Sequence, residues 1–181
     1  MKSFEEIYVL RTIATLKEDL NSRLAKTWED LAKAYENELG MAVNNPDSPL
    51  AGVELIPAPV LTDNDYHPWS LEERPVEGGW AIVVSCNLIK TDANSNGDLL
   101  GQYVIDITIL YQNAYLEGLG YAAVSRARKA VMEAIREKVK RLAYAGGNVE
   151  VYTLDMADLN KGEGDRTAVA KVSYIVTANS L

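Results

Sequence analysis

Apolar residues recur along the first 39 positions at steps of three and four. Ile7, Leu10, Ile13, Leu16, Leu20, Leu24, Trp28, Leu31, Tyr35 and Leu39 fall on one helical stripe. Ser3 and Glu6 have the spacing of a reciprocal cap, in which hydroxyl and carboxylate satisfy first-turn amides. Gly40 stands where a helix end often needs a left-handed residue, and Asn21-Ser22 offers a break into two shorter helices. All six prolines (Pro46, Pro49, Pro57, Pro59, Pro68 and Pro75) lie within 41–79, which closes on Gly78-Gly79. Proline removes an amide donor and fixes φ. This stretch therefore reads as an extended arm or surface insertion, with at most a short strand at 53–56.

From Trp80 the period changes to two. Trp80, Ile82, Val84, Cys86 and Leu88 share one face of a strand, and Tyr103, Ile105, Ile107, Ile109 and Tyr111 share one face of a second. The polar link 91–101 predicts a hairpin loop. A second helix follows, with Val124, Ala127, Val131, Ile135, Lys138, Val139 and Leu142 near one side and Gly146-Gly147 as its stop. Two further strands, 149–154 and 167–177, flank a turn-rich 160–165. In the last strand Ala168, Ala170, Val172, Tyr174 and Val176 alternate with Lys171 and Ser173, giving an apolar face and a wetter one. The expected fold is α+β, in the order α-β-β-α-β-β. Two β-hairpins form a four-stranded, mainly antiparallel sheet packed against long helices. It is a single domain over 1–181, made of an N-terminal helix (1–40), a Pro-rich arm (41–79) and a hairpin–helix–hairpin body (80–181).

Composition narrows the function classes. With 48% hydrophobic and 24% charged residues in 181, the chain has material for a core without metals or disulfides. One cysteine cannot form an internal disulfide, no apolar leader precedes the first helix, and no apolar run reaches membrane-spanning length. The expectation is a reducing, soluble compartment. A formal charge of −8 argues against a sequence-independent grip on nucleic acid. The charge is uneven: 121–145 holds seven basic and two acidic residues, +5, against eleven basic and 24 acidic elsewhere, −13. That asymmetry fits a basic helix meeting an acidic surface across a subunit contact, and equally a solvated helix face.

Candidate chemistry is sparse. His67, in Tyr66-His67-Pro68-Trp69, is the only histidine and has no nucleophile motif to serve, so it reads as part of a packed aromatic loop. Cys86 sits mid-strand in the apolar register, where burial makes a thiol inert. Asp92-Ala93-Asn94-Ser95-Asn96-Gly97-Asp98 matches the first half of a calcium loop. Its twelfth position is Tyr103 where a bidentate carboxylate is required, and the same residues serve a hairpin turn. No catalytic, cofactor or metal site is expected. A small-ligand or Ca²⁺-binding domain centred on 92–98 is the alternative from a different class.

The progression of elements resembles the tail-terminator (tail-completion) family of tailed bacteriophages. The resemblance is carried by the amphipathic N-terminal helix, the strands Trp80-Ala-Ile-Val-Val-Ser-Cys-Asn-Leu-Ile and Gln102-Tyr-Val-Ile-Asp-Ile-Thr-Ile-Leu-Tyr, and the helix at 121–145. It extends to the ending Val-Glu-Val-Tyr-Thr-Leu-Asp … Thr-Ala-Val-Ala-Lys-Val-Ser-Tyr-Ile-Val, and covers about two thirds of the chain. It implies a non-catalytic virion subunit, made in the host bacterial cytoplasm, without cofactors. Copies would form a ring, usually a hexamer, on the head-proximal end of the tail tube. The ring would stop tube growth, offer a surface to the head–tail connector and, in contractile tails, meet the last sheath layer. Another connector or neck protein would share this mechanical role. Arg126, Lys129, Arg136 and Lys140 share an outward side by helical angle, and are the candidates for a subunit contact or for lining a channel through which DNA passes. No membrane partner is expected.

Overall fold

The computed structural model describes residues 4–39, 57–70, 75, 78–93, 99–112, 119–138, 149–153 and 167–180. Helix α1 (Phe4–Leu39) is followed by a 3-10 turn (Asp63–Asp65) and strand β1 (Tyr66–Pro68). Strands β2 (Trp80–Ala93) and β3 (Leu99–Gln112), helix α2 (Leu119–Glu137), and strands β4 (Val149–Thr153) and β5 (Thr167–Ser180) complete the order. The class is α+β, as the alternating periods predict. The strands form one sheet in the order β1-β2-β3-β5-β4.

β2, β3, β5 and β4 pair antiparallel with their neighbours, while the short β1 lies parallel to β2, with Tyr66 opposite Ile82 and Pro68 opposite Val84. The sheet is therefore mixed, and a fifth strand comes from the segment read as an irregular arm. The physical reason is local: Tyr66 is apolar enough to bury its ring, and Pro68 sits at the sheet edge, where a missing amide costs little. The strand anticipated at 53–56 lies outside the described residues, as do Ser3 and Gly40 at the ends of α1. α2 carries the chain from β3 to the far edge, and β5 returns to the place between them.

Both helices cover one face of the sheet, α1 over β2 and α2 over β5 and β3. Ile82, Val84, Cys86, Ile105, Ile107, Ile109, Val172, Tyr174 and Val176 point into this layer and are buried, in the register that period two predicts. From α2 come Val124, Ala127, Val131 and Ile135, with Ala123, Ala130 and Ala134 filling the close approach to neighbouring elements. At about 25 cal/mol per Å², each fully buried aliphatic side chain contributes roughly 1.5–3 kcal/mol.

α1 departs from its expected stripe at two places. It runs unbroken through Asn21-Ser22, and its first turns bury Tyr8, Val9 and Thr12 while Leu10 is 43% exposed. Tyr8 is drawn in by Tyr103, ring centroids 5.1 Å apart. Thr12 Oγ1 donates to the Tyr8 carbonyl at 2.6 Å and takes the Tyr174 hydroxyl at 2.5 Å. A polar residue thus holds a core position by satisfying a buried phenol. Leu88 also departs, being 46% exposed, with Ile89 at 55%. The β2–β3 register shifts between Leu88 and Lys90, so an inserted residue twists the strand just where the aromatic layer of Tyr8 and Tyr103 ends.

Gly101 explains how Tyr103 is placed. A Cβ at Gly101 would lie 2.7 Å from the Tyr103 ring, which folds back over the glycine's bare backbone. Glycine weakens a strand by its lost packing, and the ring lying over it supplies cover.

Candidate functional site

The exposed surface of the described residues offers two unlike regions. The first is the outward side of the helix pair. Lys129 and Arg136, seven positions apart on α2, are exposed in one row, as the helical repeat requires. Arg126 does not join them. It is half-buried, with its guanidinium 5.4 Å over the ring of Trp28 on α1. Lys140, the fourth member of the predicted set, lies outside the described residues.

Below this row the helices are tied by charges that periodicity alone did not single out. Arg23 donates to Glu137 through both terminal nitrogens and to Asp19 Oδ2 through Nε at 2.9 Å. Lys138 Nζ lies 2.6 Å from Glu18 Oε2 and 3.5 Å from Asp19 Oδ1. Lys138 reads as apolar-side by helical angle; its side chain is 17% exposed and its ammonium is held by the α1 carboxylates. The Arg23 hydrogen bonds hold the Glu137 carboxyl below the usual glutamate range, and hold Arg23 itself above its ordinary value. These groups are committed to each other, whereas Lys129 and Arg136 on α2 stay exposed.

The second region is the end of the sheet where β2 begins. Trp80 packs against Tyr111 with centroids 4.4 Å apart and ring planes tilted by 33°, and Trp28 meets Trp80 edge-on at 6.5 Å. With Arg126 over Trp28, a ladder of cation and rings joins α2, α1, β2 and β3. Beside it is a cleft of about 310 Å³, walled by Pro57, Pro59, Val60, Leu61, Asp65 and Gly78-Gly79 and floored by Trp80 and Tyr111.

The cleft walls are fastened. Asn21, read from sequence as a helix breaker, brackets the backbone of Leu61: its Nδ2 donates to the Leu61 carbonyl and its Oδ1 accepts the Leu61 amide, both at 2.8 Å. Thr62 donates its amide and its hydroxyl to Asp65 Oδ2, at 2.6 and 2.8 Å. Lys17 reaches Asp63 at 2.9 Å and lies 5.4 Å over the Tyr66 ring. Burial, with help from Asp65 and Asp63, pushes the Tyr66 phenol up to about 12. On the other wall Gly78 donates to the Gln112 carbonyl and Gln112 to the Gly79 carbonyl, at 2.8 and 3.0 Å, with Gly78 at φ +74°. A side chain there would strain the backbone.

β1 ends in an unusual turn. Trp69 has φ +71°, its amide donates to Val84 O at 2.8 Å, and the Ser70 amide donates to Pro68 O at 2.9 Å. This is a γ-turn of the rarer, strained hand, and it presents a tryptophan that is 43% exposed.

On the helix-free face of the sheet, Asp106 pairs with Lys171 at 2.7 Å and accepts the Ser173 hydroxyl at 2.5 Å. Ser173 is buried, so the alternation in β5 is less wet than the sequence suggests.

The remaining sequence candidates are placed as follows. His67 is half-buried in β1 opposite Val83. Cys86 is buried; desolvation, reinforced by Glu5 and Asp106, pushes its thiol up to about 12. Such a thiol is a small core hydrophobe. Most of the calcium-like loop, 94–98, lies outside the described residues. Among the described residues no three or more His, Cys, Asp or Glu cluster as a metal site, and no helix is long and apolar enough to cross a membrane.

No protein-family model matches the chain, and no curated protein matches it.

Proposed function

We propose that this chain is a structural subunit of a phage virion: a tail terminator that forms a closed ring on the head-proximal end of the tail tube and presents the head–tail joining surface. The observation carrying this reading is the pairing of unlike exposed regions on a rigid two-layer scaffold. A ring is a heterologous assembly, so each copy needs two different complementary patches. The exposed cations of α2, Lys129 and Arg136, form one, and the cleft with Asp65, together with the strained, exposed Trp69 farther along the β1 edge, offers acidic and aromatic partners. Charge of opposite sign sets orientation and association rate more than affinity.

In this reading the links 94–98 and 154–166 are hairpin loops, and 41–56 is an arm toward tube, sheath or neighbour. Residues 57–70 belong to the subunit body, since Leu61 and Tyr66 are buried on it. The chain has no catalytic role. DNA passes through the ring, and the basic row of α2 either makes the subunit contact or faces that channel. Neutralising Lys129 and Arg136 separates the two, because a contact role weakens the ring while a lining role alters DNA retention in assembled particles.

The test is assembly. Sedimentation velocity and negative-stain images of the purified chain should give a closed ring, usually of six copies, or a monomer that assembles on the ends of tail tubes. A chain that stays monomeric at high concentration and ignores tube ends would end this reading.

A further inference from the structure

We infer that the cleft beside Trp80 and Tyr111 is a receptor for an organic cation, a guanidinium or ammonium side chain, and that Lys129 or Arg136 of a second copy supplies it. The choice of donor rests on the ring reading above; the chemistry of the cleft does not.

Three features select a cation. The floor is two aromatic rings packed with centroids 4.4 Å apart and tilted by 33°, and aromatic faces attract positive charge within about 6 Å. The wall carries Asp65, and among the described residues none of the lining side chains is basic. Both bonds from Thr62 end on Asp65 Oδ2, which fixes the carboxylate and turns Oδ1 into the atom a donor would meet. The same aromatic cluster already takes a guanidinium on its far side, where Arg126 lies over Trp28.

Preorganisation supports binding as well as chemistry. Asn21 pins one wall at Leu61, and Gln112 pins the other at Gly78 and Gly79. A ligand that enters has few protein rotamers to order, so little of its interaction energy is lost. The cleft, at about 310 Å³, is at the small end of ligand sites and suits one side chain. Charge supplies the partner: the cleft wall carries one carboxylate, Asp65, while Lys129 and Arg136 are exposed cations on α2 of the same subunit. A head-to-tail contact would bring the two together.

The experiment has two arms. In the first, N-acetyl-arginine methylamide is titrated into ¹⁵N-labelled protein while the Trp80 indole N–H signal is followed, with N-acetyl-norleucine methylamide as the uncharged control. The expected result is saturable binding in the millimolar range that falls about tenfold in Asp65→Asn. That variant keeps an acceptor for Thr62, and unchanged Trp28 and Trp69 indole signals report an intact fold. Should it misfold, Tyr111→Leu carries the same test, with the same expected loss. A flat titration, equal binding of the norleucine compound, or full binding by Asp65→Asn overturns the receptor.

In the second arm, association of the wild type is compared with Asp65→Asn and with Lys129→Gln/Arg136→Gln by sedimentation. Loss in both variants supports the second copy as donor. Wild-type rings that persist unchanged in Asp65→Asn overturn it and leave the ring reading standing. A wild type that binds the arginine compound yet never associates sinks the ring reading and keeps the receptor.

Discussion

Leu10 and Leu20 occupy the same predicted stripe of α1 but meet different surroundings. Leu20 is fully buried between sheet and helix, whereas Leu10 is 43% exposed. Leu20→Ala should cost about 2–5 kcal/mol, the lost transfer energy plus that of the cavity. Leu10→Ala should stay within about 0.5 kcal/mol of wild type. Urea melts of the two variants check the contrast, and similar costs would refute the placement of the α1 turns. Cys86 gives a pH-dependent counterpart. Its thiol, and the Tyr174 phenol inside the same core, are both raised by burial. A raised pKa favours the neutral form in the folded state, so this stability is complete below the ordinary thiol value of about 8.5. It is lost as pH rises from there toward about 12, because the unfolded chain then releases its proton first. The measurement is Tm against pH for wild type and Cys86→Ala. The decline above pH 8.5 should be shallower in the variant, and parallel curves would contradict the burial account.

At the scale of elements, two fastenings decide how the pieces sit. Asn21 bonds both backbone groups of Leu61, so Asn21→Ala removes this tie between α1 and Leu61 while Lys17 still holds Asp63. The expected cost is about 1–2 kcal/mol, with amide exchange at Leu61 quickening far more than exchange in β3. Equal protection at Leu61 in variant and wild type would exclude the bracket. The second fastening joins α1 to α2 through Arg23 and Glu137. Glu137 has its folded pKa depressed, so its contribution is present above the ordinary glutamate range and disappears as pH falls through the folded value. Glu137→Gln should therefore lower Tm slightly near pH 7, with a gap to wild type that shrinks as the pH falls below the ordinary glutamate range. A gap that persists in acid would assign the effect to something other than the ion pair.

These examples also show what was readable in advance. Period two placed Ile105, Ile107 and Ile109 without error, because a half-buried strand has one face to fill and one way to fill it. The α1 stripe was right from Ile13 to Leu24 and wrong before it, since Thr12 and Tyr8 are buried by a hydrogen bond and a ring contact with distant strands. β1 was missed because three residues carry no period, and its pairing with β2 is a tertiary fact. In the candidate surface, the basic composition of α2 was legible, but the sides were not. Whether Arg126 faces water or Trp28 depends on a helix packed nearly one hundred residues away in the chain. The cleft was invisible for the same reason: Asn21, Leu61, Gly79 and Tyr111 share no local pattern.

For the whole molecule, the strained turn at Trp69 separates folding from assembly. A tryptophan at φ +71° costs of order 1–3 kcal/mol and recovers little by burial, since the residue is 43% exposed. Within the monomer the turn is held by the Trp69 amide on Val84 O, a bond that needs the backbone and not the indole. Tryptophan is also the residue type most enriched among dominant contacts of protein interfaces. The ring reading gives the cost a reason: the turn holds the indole out toward a neighbour. Trp69→Gly relieves the backbone and removes the indole together. The folded monomer should then melt no lower than wild type, while association weakens by about 2 kcal/mol or more, roughly thirtyfold. Thermal melts at low concentration, paired with sedimentation across a concentration series, measure the two quantities independently. A lowered Tm with unchanged association would make Trp69 a packing residue of its own subunit, and the interface would then have to be sought at Leu88 and Ile89, where β2 is exposed beyond the aromatic layer.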